Sequence, residues 1–205
     1  MKPSSYDATA IMNADLARKV SKDNFEARYG QDQDPWGFAT SAYELGRYQT
    51  TLNALSRTSY GTVYEPGCSV GVLTAALARM AERVVAIDFA PSAAHRARTR
   101  CAACSNVEVH CASVATYVPQ APVDLVVFSE LGYYFDPPEL ARIGRVLSQQ
   151  LNPRGEFLAV HWLGYSPDHV THGDQVHETL RRTLPLIWVK GERYPLFRID
   201  CWRRS

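Results

Sequence analysis

The chain has 205 residues, of which 46% are hydrophobic, and its formal net charge at pH 7 is +1. This length and apolar content predict one domain with a sizeable core, and the balanced charge argues against nucleic acid or an anionic membrane as a partner. No apolar run is long enough to insert into a membrane, the N-terminus lacks a secretory signal and the five cysteines do not form a disulfide framework, so a cytoplasmic protein is expected.

The first 58 residues are predicted to form a helical lid on a Rossmann-like core of residues 59–205, the two together making one domain over residues 1–205. A short helix is expected near the start, over Ile11–Val20, where apolar residues recur. The pattern predicts a second helix from Ser41 to Leu55. Because this segment precedes the first core strand, it can fold back over a ligand site.

Three side chains of the predicted lid are candidates for contact with such a ligand. Trp36 and Tyr43 would cover the ligand, and Arg47 would pair with a carboxylate on it through two parallel hydrogen bonds. The alternative is structural: Trp36 packs the lid onto the core, and Arg47 is a solvated partner of Glu44. The residue types are compatible with both interpretations.

The stretch Thr62–Asp88 organises the rest of the chain. A short apolar strand ends in Glu65, a tight turn follows between Gly67 and Gly71, and an amphipathic helix leads to a second strand that ends in Asp88. Such a strand–turn–helix–strand unit places a nucleoside ligand at the carboxyl ends of parallel strands. The residues predicted to contact that ligand are Glu65, Gly67, Cys68, Ser69, Gly71, Asp88 and Phe89.

Charge favours one nucleoside over another. The turn lacks the Gly-x-Gly-x-x-Gly pattern of dinucleotide sites, since Ser69 stands where a middle glycine would fall, and Glu65 would repel a pyrophosphate. S-adenosylmethionine has no phosphate; its cationic part suits Glu65, and its carboxylate suits the helix N-terminus. Asp88 would bind ribose hydroxyls in either case. The alternative is that the glycines only make a sharp turn.

Two further strands are predicted with polar residues at their ends. Val107–His110 is followed by a segment whose backbone and small hydroxyl would read the adenine edge, namely Ala112, Ser113 and Val114. Val123–Phe128 is a buried strand, and Ser129 and Glu130 follow it. Glu130 would therefore face the reacting end of the crevice. Its alternative role is a helix cap or a salt-bridge partner inside the protein.

The C-terminal third is predicted to add a strand, a polar crossover and a hairpin. Glu156–Trp162 is the fifth strand, and a turn at residues 152–155 precedes it. The crossover and the start of the next helix carry polar groups that would bind a sugar or an amine, or else form a solvated loop, namely Asp168, His169, His172, Asp174 and His177. The histidines lack metal-ligand spacing, so no metal is predicted. A helix follows over Gln175–Thr183, and the last two strands join at a turn at Gly191–Glu192.

These elements predict an α/β fold. The sheet is expected to have seven strands, doubly wound and mostly parallel, with an antiparallel C-terminal hairpin and the N-terminal helical lid. Plain dehydrogenase folds lack such a hairpin.

Several motifs resemble class I S-adenosylmethionine-dependent methyltransferases, namely Glu65-Pro-Gly67-Cys-Ser-Val-Gly71, the strand ending in Asp88, Asp124-Leu-Val-Val-Phe-Ser-Glu130 and Leu151-Asn-Pro-Arg-Gly155. More specific segments resemble the NodS family of rhizobial nodulation N-methyltransferases: Asp34-Pro-Trp36-Gly-Phe38, Tyr43-Glu-Leu-Gly-Arg47-Tyr48, Ser129-Glu-Leu-Gly-Tyr-Tyr-Phe135, Val160-His-Trp162 and Gly173-Asp-Gln-Val-His177. The similarity runs from about Phe25 to Trp202. The chain departs from the superfamily pattern at Ser69, which replaces a glycine, and at Ser113, which replaces an acid.

The resemblance implies methyl transfer from S-adenosylmethionine to the free amine of the non-reducing-end glucosamine of a de-N-acetylated chitooligosaccharide, during Nod factor synthesis. Glu130 or His161 would then accept a proton or hold the amine. Tyr133, Tyr134 and Trp162 would stack on sugar faces, or else pack under the lid. The alternatives are another small-molecule O- or N-acceptor, a nicotinamide-dependent oxidoreductase, and a binding module without activity. The oligomeric state is not predicted.

Overall fold

The computed structural model describes residues 21–205, so the helix predicted over Ile11–Val20 and the first part of the predicted lid lie outside the described residues. The strands are β1 (Tyr60–Pro66), β2 (Ala81–Asp88), β3 (Val107–Cys111), β4 (Val123–Ser129), β5 (Leu151–Trp162), β6 (Ile187–Arg193) and β7 (Phe197–Arg203). The helices are α1 (Lys22–Gln31), α2 (Ala42–Asn53), α3 (Val72–Leu77), α4 (Pro91–Arg100), α5 (Pro137–Gln149) and α6 (Gly173–Thr183), with a 3-10 turn at Gly132–Tyr134.

All seven strands form one sheet in the order β3-β2-β1-β4-β5-β7-β6. Strands β1 to β5 run parallel, and β7 inserts antiparallel between β5 and β6. The predicted fold class is therefore confirmed, including the antiparallel hairpin and a helical segment before the core. The strand order reverses beside β1 and β4, and in open parallel sheets a ligand crevice forms outside the carboxyl ends at such a point.

The core lies on both faces of this sheet. Successive residues Val126 and Val127 of β4 are fully buried and belong to different apolar clusters, as expected when side chains alternate between faces. One cluster joins β4 to α5 and α6 through residues such as Phe128 and Leu147, and the other reaches α3 through Leu77. Among residues 21–205, no helix is both long and apolar enough to cross a membrane.

Two turn predictions in the C-terminal third were wrong. Gly191 and Glu192 lie inside β6, and the chain turns at residues 194–196. Gly191 is needed for a close approach, because a Cβ there would come within 1.8 Å of a carboxylate oxygen of Asp200. Likewise, residues 152–155 form an irregular first part of β5, where the pairing with β4 shifts register.

Helix α6 begins two residues before the predicted start. The side chain of His172 accepts a hydrogen bond from the Asp174 amide, and the Gln175 side chain accepts one from the His172 amide. This reciprocal capping satisfies amides that have no partner within the helix, so the helix can start at Gly173.

Candidate active site

A cavity of about 750 Å³ lies at the carboxyl ends of β1, β2 and β4, beneath α1 and α2. Most of the residues predicted from the sequence line it: Trp36, Tyr43, Glu65, Gly67, Cys68, Ser69, Asp88, Phe89, Ala112, Ser113, Val114, Ser129, Glu130, Tyr133, Tyr134 and Trp162. Five predicted residues do not line it, namely Arg47, Gly71, His161, Asp168 and Asp174. The structure therefore brings the predicted residues at the strand ends and those of the predicted lid together around one cavity.

The turn Gly67–Gly71 uses most of its own amide groups. Two of them donate to the carbonyl of Ile87, one donates to the Asp88 carboxylate and one to the carbonyl of Cys68. The helix that follows, α3, is only six residues long. Few amides of the turn itself therefore remain to hold a phosphate. Contact between the N-terminus of α3 and a ligand carboxylate stays a prediction.

The glycine that closes this turn has a packing role. Gly71 has a φ of +79°, a conformation that L side chains rarely adopt. A Cβ at this position would come within 2.8 Å of the Ala97 backbone in α4. Gly71 thus shapes the turn from behind, where α4 packs.

Two buried acids face the cavity at the ends of β1 and β2. Burial raises the pKa of Glu65 to about 8, although the Thr74 hydroxyl, 2.5 Å away, lowers it. Burial also raises the pKa of Asp88 to about 6, against the effect of hydrogen bonds that its carboxylate accepts from the amides of Ala90 and Ser69, each at 2.9 Å. Neither acid forms an ion pair within the described part of the chain, so both can stabilise a cationic or hydroxyl-bearing ligand.

The third acid, Glu130, is held by several protein groups. One of its carboxylate oxygens accepts a hydrogen bond from the Trp162 amide and the other from the Tyr133 hydroxyl, each at 2.8 Å. The same carboxylate forms an ion pair with Arg47, which also donates to Glu44 at 3.1 Å through its Nε. Arg47 is 1% exposed and lies behind the wall, between these two acids. Contact between Arg47 and a ligand carboxylate remains a prediction.

His161 lies behind the cavity, where it is fully buried. Its Nε2 accepts a hydrogen bond from the Gly132 amide, so its Nδ1 carries the hydrogen and donates to His177 Nε2; His177 in turn donates from Nδ1 to Asp200, 2.7 Å away. Burial keeps the pKa of His161 well below its ordinary value. The predicted role of His161 as a proton acceptor does not fit this position, because both ring nitrogens are already bonded to protein groups.

The two aspartates predicted to bind substrate are both paired with arginines. Asp168 lies 2.6 Å from Arg28 of α1, and Asp174 lies 3.0 Å from Arg193 of β6. The Asp168 pair links the lid to the crossover after β5. Asp174 belongs to the first turn of α6, away from the cavity, so a direct contact with substrate does not fit its position.

The sequence analysis missed several aromatic residues of the wall, namely Phe25, Tyr29, Phe38 and Tyr48. His169, which it named among the polar groups of the crossover that would bind a sugar or an amine, also lines the wall. Phe25 stacks on Trp36 at a centroid distance of 5.7 Å, and the Tyr29 hydroxyl lies 2.6 Å from the Ser69 hydroxyl. The spacing of Phe25 and Tyr29, four residues apart on one helical face, was the available signal. Helix α1 thus closes the cavity from above.

The charges of the wall have one sign. The cavity is lined by five acids, Glu44, Glu65, Asp88, Glu130 and Glu139, and by no lysine or arginine within residues 21–205. Also among the described residues, no group of three or more histidine, cysteine, aspartate or glutamate side chains is placed to hold a metal ion. Arg47, behind the wall, compensates Glu44 and Glu130, so the wall suits a positively charged ligand mainly at Glu65 and Asp88 and offers no basic side chain to a polyanion.

The family model for Nodulation protein S (NodS) matches residues 19–161. The chain belongs to the NodS family. Nodulation protein S of Bradyrhizobium diazoefficiens is 32% identical over 122 residues, which are 58% of each protein. The chain thus spans little more than half the length of that curated relative. The family resemblance found in the sequence is confirmed.

Two solved structures share the fold. A Pseudomonas syringae protein named as a candidate methyltransferase is 32% identical and covers 80% of this chain and all of its own, with a TM-score of 0.70. The N-methyltransferase NodS of Bradyrhizobium japonicum WM9, solved in complex with S-adenosyl-L-homocysteine, is 21% identical and covers 95% of this chain and 98% of its own, with a TM-score of 0.75. At that identity the second likeness establishes the fold of this NodS family protein.

Proposed function

We propose that this NodS family protein is an S-adenosylmethionine-dependent N-methyltransferase. We further propose that its acceptor is the free amine of the non-reducing-end glucosamine of a de-N-acetylated chitooligosaccharide, in Nod factor synthesis. The observation that carries the cofactor assignment is the pair of buried acids Glu65 and Asp88, which have no basic partner among the described residues and lie in a wall without a described lysine or arginine. A sulfonium and an ammonium are favoured there, and a dinucleotide pyrophosphate is repelled.

The wall offers a place for each part of the cofactor. Asp88 would bind the ribose hydroxyls, and residues 112–114 would border the adenine. Glu65 would stabilise the positive charge, ionising as the ligand binds beside it. The aromatic rings of Phe25 and Trp36 would cover the cofactor and exclude water.

When bound, the cofactor supplies an electrophilic methyl group on a positively charged sulfur. A neutral amine is already a good nucleophile, so the protein mainly has to align its lone pair with that methyl group. Glu130 lines the cavity. Its carboxylate is held in one orientation by the two hydrogen bonds that it accepts and by its ion pair with Arg47. It would order the acceptor end and hold the amine.

The acceptor assignment rests on family membership and on the shape of one end of the cavity. Tyr133, Tyr134 and Trp162 line that end, and aromatic rings stack on the apolar C–H faces of sugars. A different small-molecule amine or hydroxyl acceptor is the second candidate, because aromatic walls also accept other ring systems. A nicotinamide-dependent oxidoreductase is disfavoured by the acidic wall and by the few free amides in the turn.

A methyl transfer assay with radiolabelled S-adenosylmethionine tests both parts of the proposal. We expect label in chitooligosaccharides with a free terminal amine and none in the fully N-acetylated oligosaccharides of the same length, which are the matched control. Equal labelling of unrelated small amines would contradict the acceptor assignment. Calorimetric binding of NADH, without a response to S-adenosylhomocysteine, would contradict the cofactor assignment.

A further inference from the structure

His169 lies at the acceptor end of the cavity, in the crossover between β5 and α6. Its ring stacks face to face on Tyr133, with centroids 3.7 Å apart and planes 16° apart. Trp162 and Tyr134 meet the same ring edge-on, at 6.1 Å and 5.5 Å. Three aromatic contacts therefore hold the imidazole in one orientation at the wall.

The ring nitrogens of His169 have no hydrogen-bond partner among residues 21–205. The neighbouring histidines differ, because His161, His172 and His177 bond through their rings to protein groups. His169 is half-buried, and it is the one imidazole in the described wall, which contains no asparagine or glutamine. It is thus a hydrogen-bonding group left for a ligand.

The surroundings of His169 keep its ring neutral. Burial lowers the pKa of His169 to about 4; Asp168 acts to raise it, and His172 acts to lower it. The charge of Asp168 is compensated by Arg28, which lies 2.6 Å away on α1. From the 3-10 turn, Tyr133 faces the ring, and its own hydroxyl donates to Glu130; Tyr134 also faces the ring. From about pH 5 upward, one ring nitrogen is therefore a free acceptor.

A neutral acceptor is suited to methylation of an amine. An ammonium ion has no lone pair, so the amine must react in its neutral form, and an unpaired carboxylate at this point would instead favour the ammonium. As the N–C bond forms, the C–S bond breaks and its electron pair goes to sulfur. The nitrogen keeps both hydrogens and takes over the positive charge, so no proton has to leave during the transfer. The neighbouring carboxylate, Glu130, is already compensated by Arg47.

We propose that His169 is an acceptor-binding residue that takes a hydrogen bond from an N–H of the nucleophilic amine, so that the site selects the neutral amine and orients its lone pair. This inference rests on the proposed N-methyltransferase function and deepens it. It assigns the role of holding the amine to a histidine of the cavity wall in place of His161, whose ring nitrogens are bonded to protein groups.

Two variants separate hydrogen bonding from ring packing. His169→Phe keeps a ring to stack on Tyr133 and removes the nitrogens, whereas His169→Asn removes the ring and keeps an acceptor oxygen. With a chitooligosaccharide that has a terminal amine, we expect kcat/KM to fall roughly tenfold or more in His169→Phe and to recover in large part in His169→Asn, because a buried N–H without a partner is unfavourable. S-adenosylhomocysteine affinity should stay unchanged in both. His95→Asn, at an exposed position of α4, is the matched control and should behave as wild type.

The pH dependence of kcat/KM for the acceptor, measured at saturating S-adenosylmethionine, tests whether the acceptor reacts as the neutral amine. With two amine acceptors of different pKa, we expect the rise of kcat/KM with pH in wild type to follow the pKa of each acceptor. A rise at the same pH for both acceptors would assign proton removal to an enzyme group and overturn the inference. Wild-type activity in His169→Phe would also overturn it, while leaving the proposed function intact. Failure of the wild type to methylate any amine while it binds S-adenosylhomocysteine would overturn both.

Discussion

The two ends of the cavity treat their acids in opposite ways. At the ends of β1 and β2, Glu65 and Asp88 have no basic partner in the described part of the chain, and burial raises both pKa values. At the acceptor end, Glu130 pairs with Arg47, and nearby Asp168 pairs with Arg28. Glu65 and Asp88 can therefore be paired by a cation of the ligand, whereas Glu130 and Asp168 are already neutralised by arginines of the protein. We infer that one end recruits a positive charge and that the other accommodates a neutral nucleophile.

The largest expected effect is at Asp88. Asp88→Ala should weaken S-adenosylhomocysteine binding roughly 100-fold, because hydrogen bonds to a charged group contribute about 1.5–3 kcal/mol each and about 1.4 kcal/mol is a factor of ten. Asp88→Asn keeps one acceptor oxygen and should lose less. Calorimetric titration measures both, with Glu82→Ala, an exposed acid of the same strand, as the control. An unchanged affinity in Asp88→Ala would show that Asp88 does not bind the cofactor and would contradict the proposed position of the cofactor at the ends of β1 and β2.

At the acceptor end, Glu130→Ala should act on turnover. The substitution removes the carboxylate to which Arg47, the Tyr133 hydroxyl and the Trp162 amide all bind. A misplacement of about 1 Å in such a site costs on the order of 100-fold in rate. We expect kcat to fall about 10- to 100-fold with a much smaller change in S-adenosylhomocysteine affinity. Glu82→Ala, at an exposed position of β2 outside the cavity wall, is again the control. An equal loss in kcat and in cofactor affinity would show that the two ends are not separable.

The raised pKa of Glu65 predicts a pH dependence at the cofactor end. The free carboxyl is protonated below about pH 8, whereas a cation beside it favours the ionised form, so binding at pH 7 releases a proton. Affinity for S-adenosylmethionine should therefore fall by up to about tenfold from pH 8 to pH 7. Titration in buffers of different ionisation enthalpy measures the released proton. In Glu65→Gln this part of the dependence should vanish; an identical slope in that variant would exclude Glu65 as the group responsible.

The smallest effect is expected at the ion pair between the lid and the crossover. Arg28 is partly exposed, and such pairs contribute about 0–1 kcal/mol, so Arg28→Ala should change acceptor KM by no more than about fivefold. The change should appear in KM for the acceptor and not in the affinity for S-adenosylhomocysteine. Steady-state kinetics measures this. A loss of affinity for S-adenosylhomocysteine would mean that this pair holds the lid over the cofactor as well.

The end of the cavity that we propose for the cofactor was largely predictable, because its residues are close together in the sequence. Glu65, the glycine turn and Asp88 lie within one strand–turn–helix–strand unit, and parallel strands place their carboxyl ends together whatever the remaining contacts are. The mixed sheet was also predictable from local patterns. Side chains on a strand alternate between the two faces of the sheet, and antiparallel strands can be joined by a short turn.

The acceptor end was not predictable in the same way. The neighbouring sequence does not distinguish His161 from His169. Only when β5 packs against α6 and the 3-10 turn do the ring nitrogens of His161 bond to Gly132 and His177, while His169 stays at the cavity wall. The same applies to the ion pair of Arg47 with Glu130, which follows β4, whereas the pair of Arg47 with Glu44, three residues away on α2, was predicted as an alternative. The amino-acid order alone thus specifies which acids end the strands. Which of those acids are neutralised, and which imidazole is left free, depends on side chains far apart in the chain that meet only after folding.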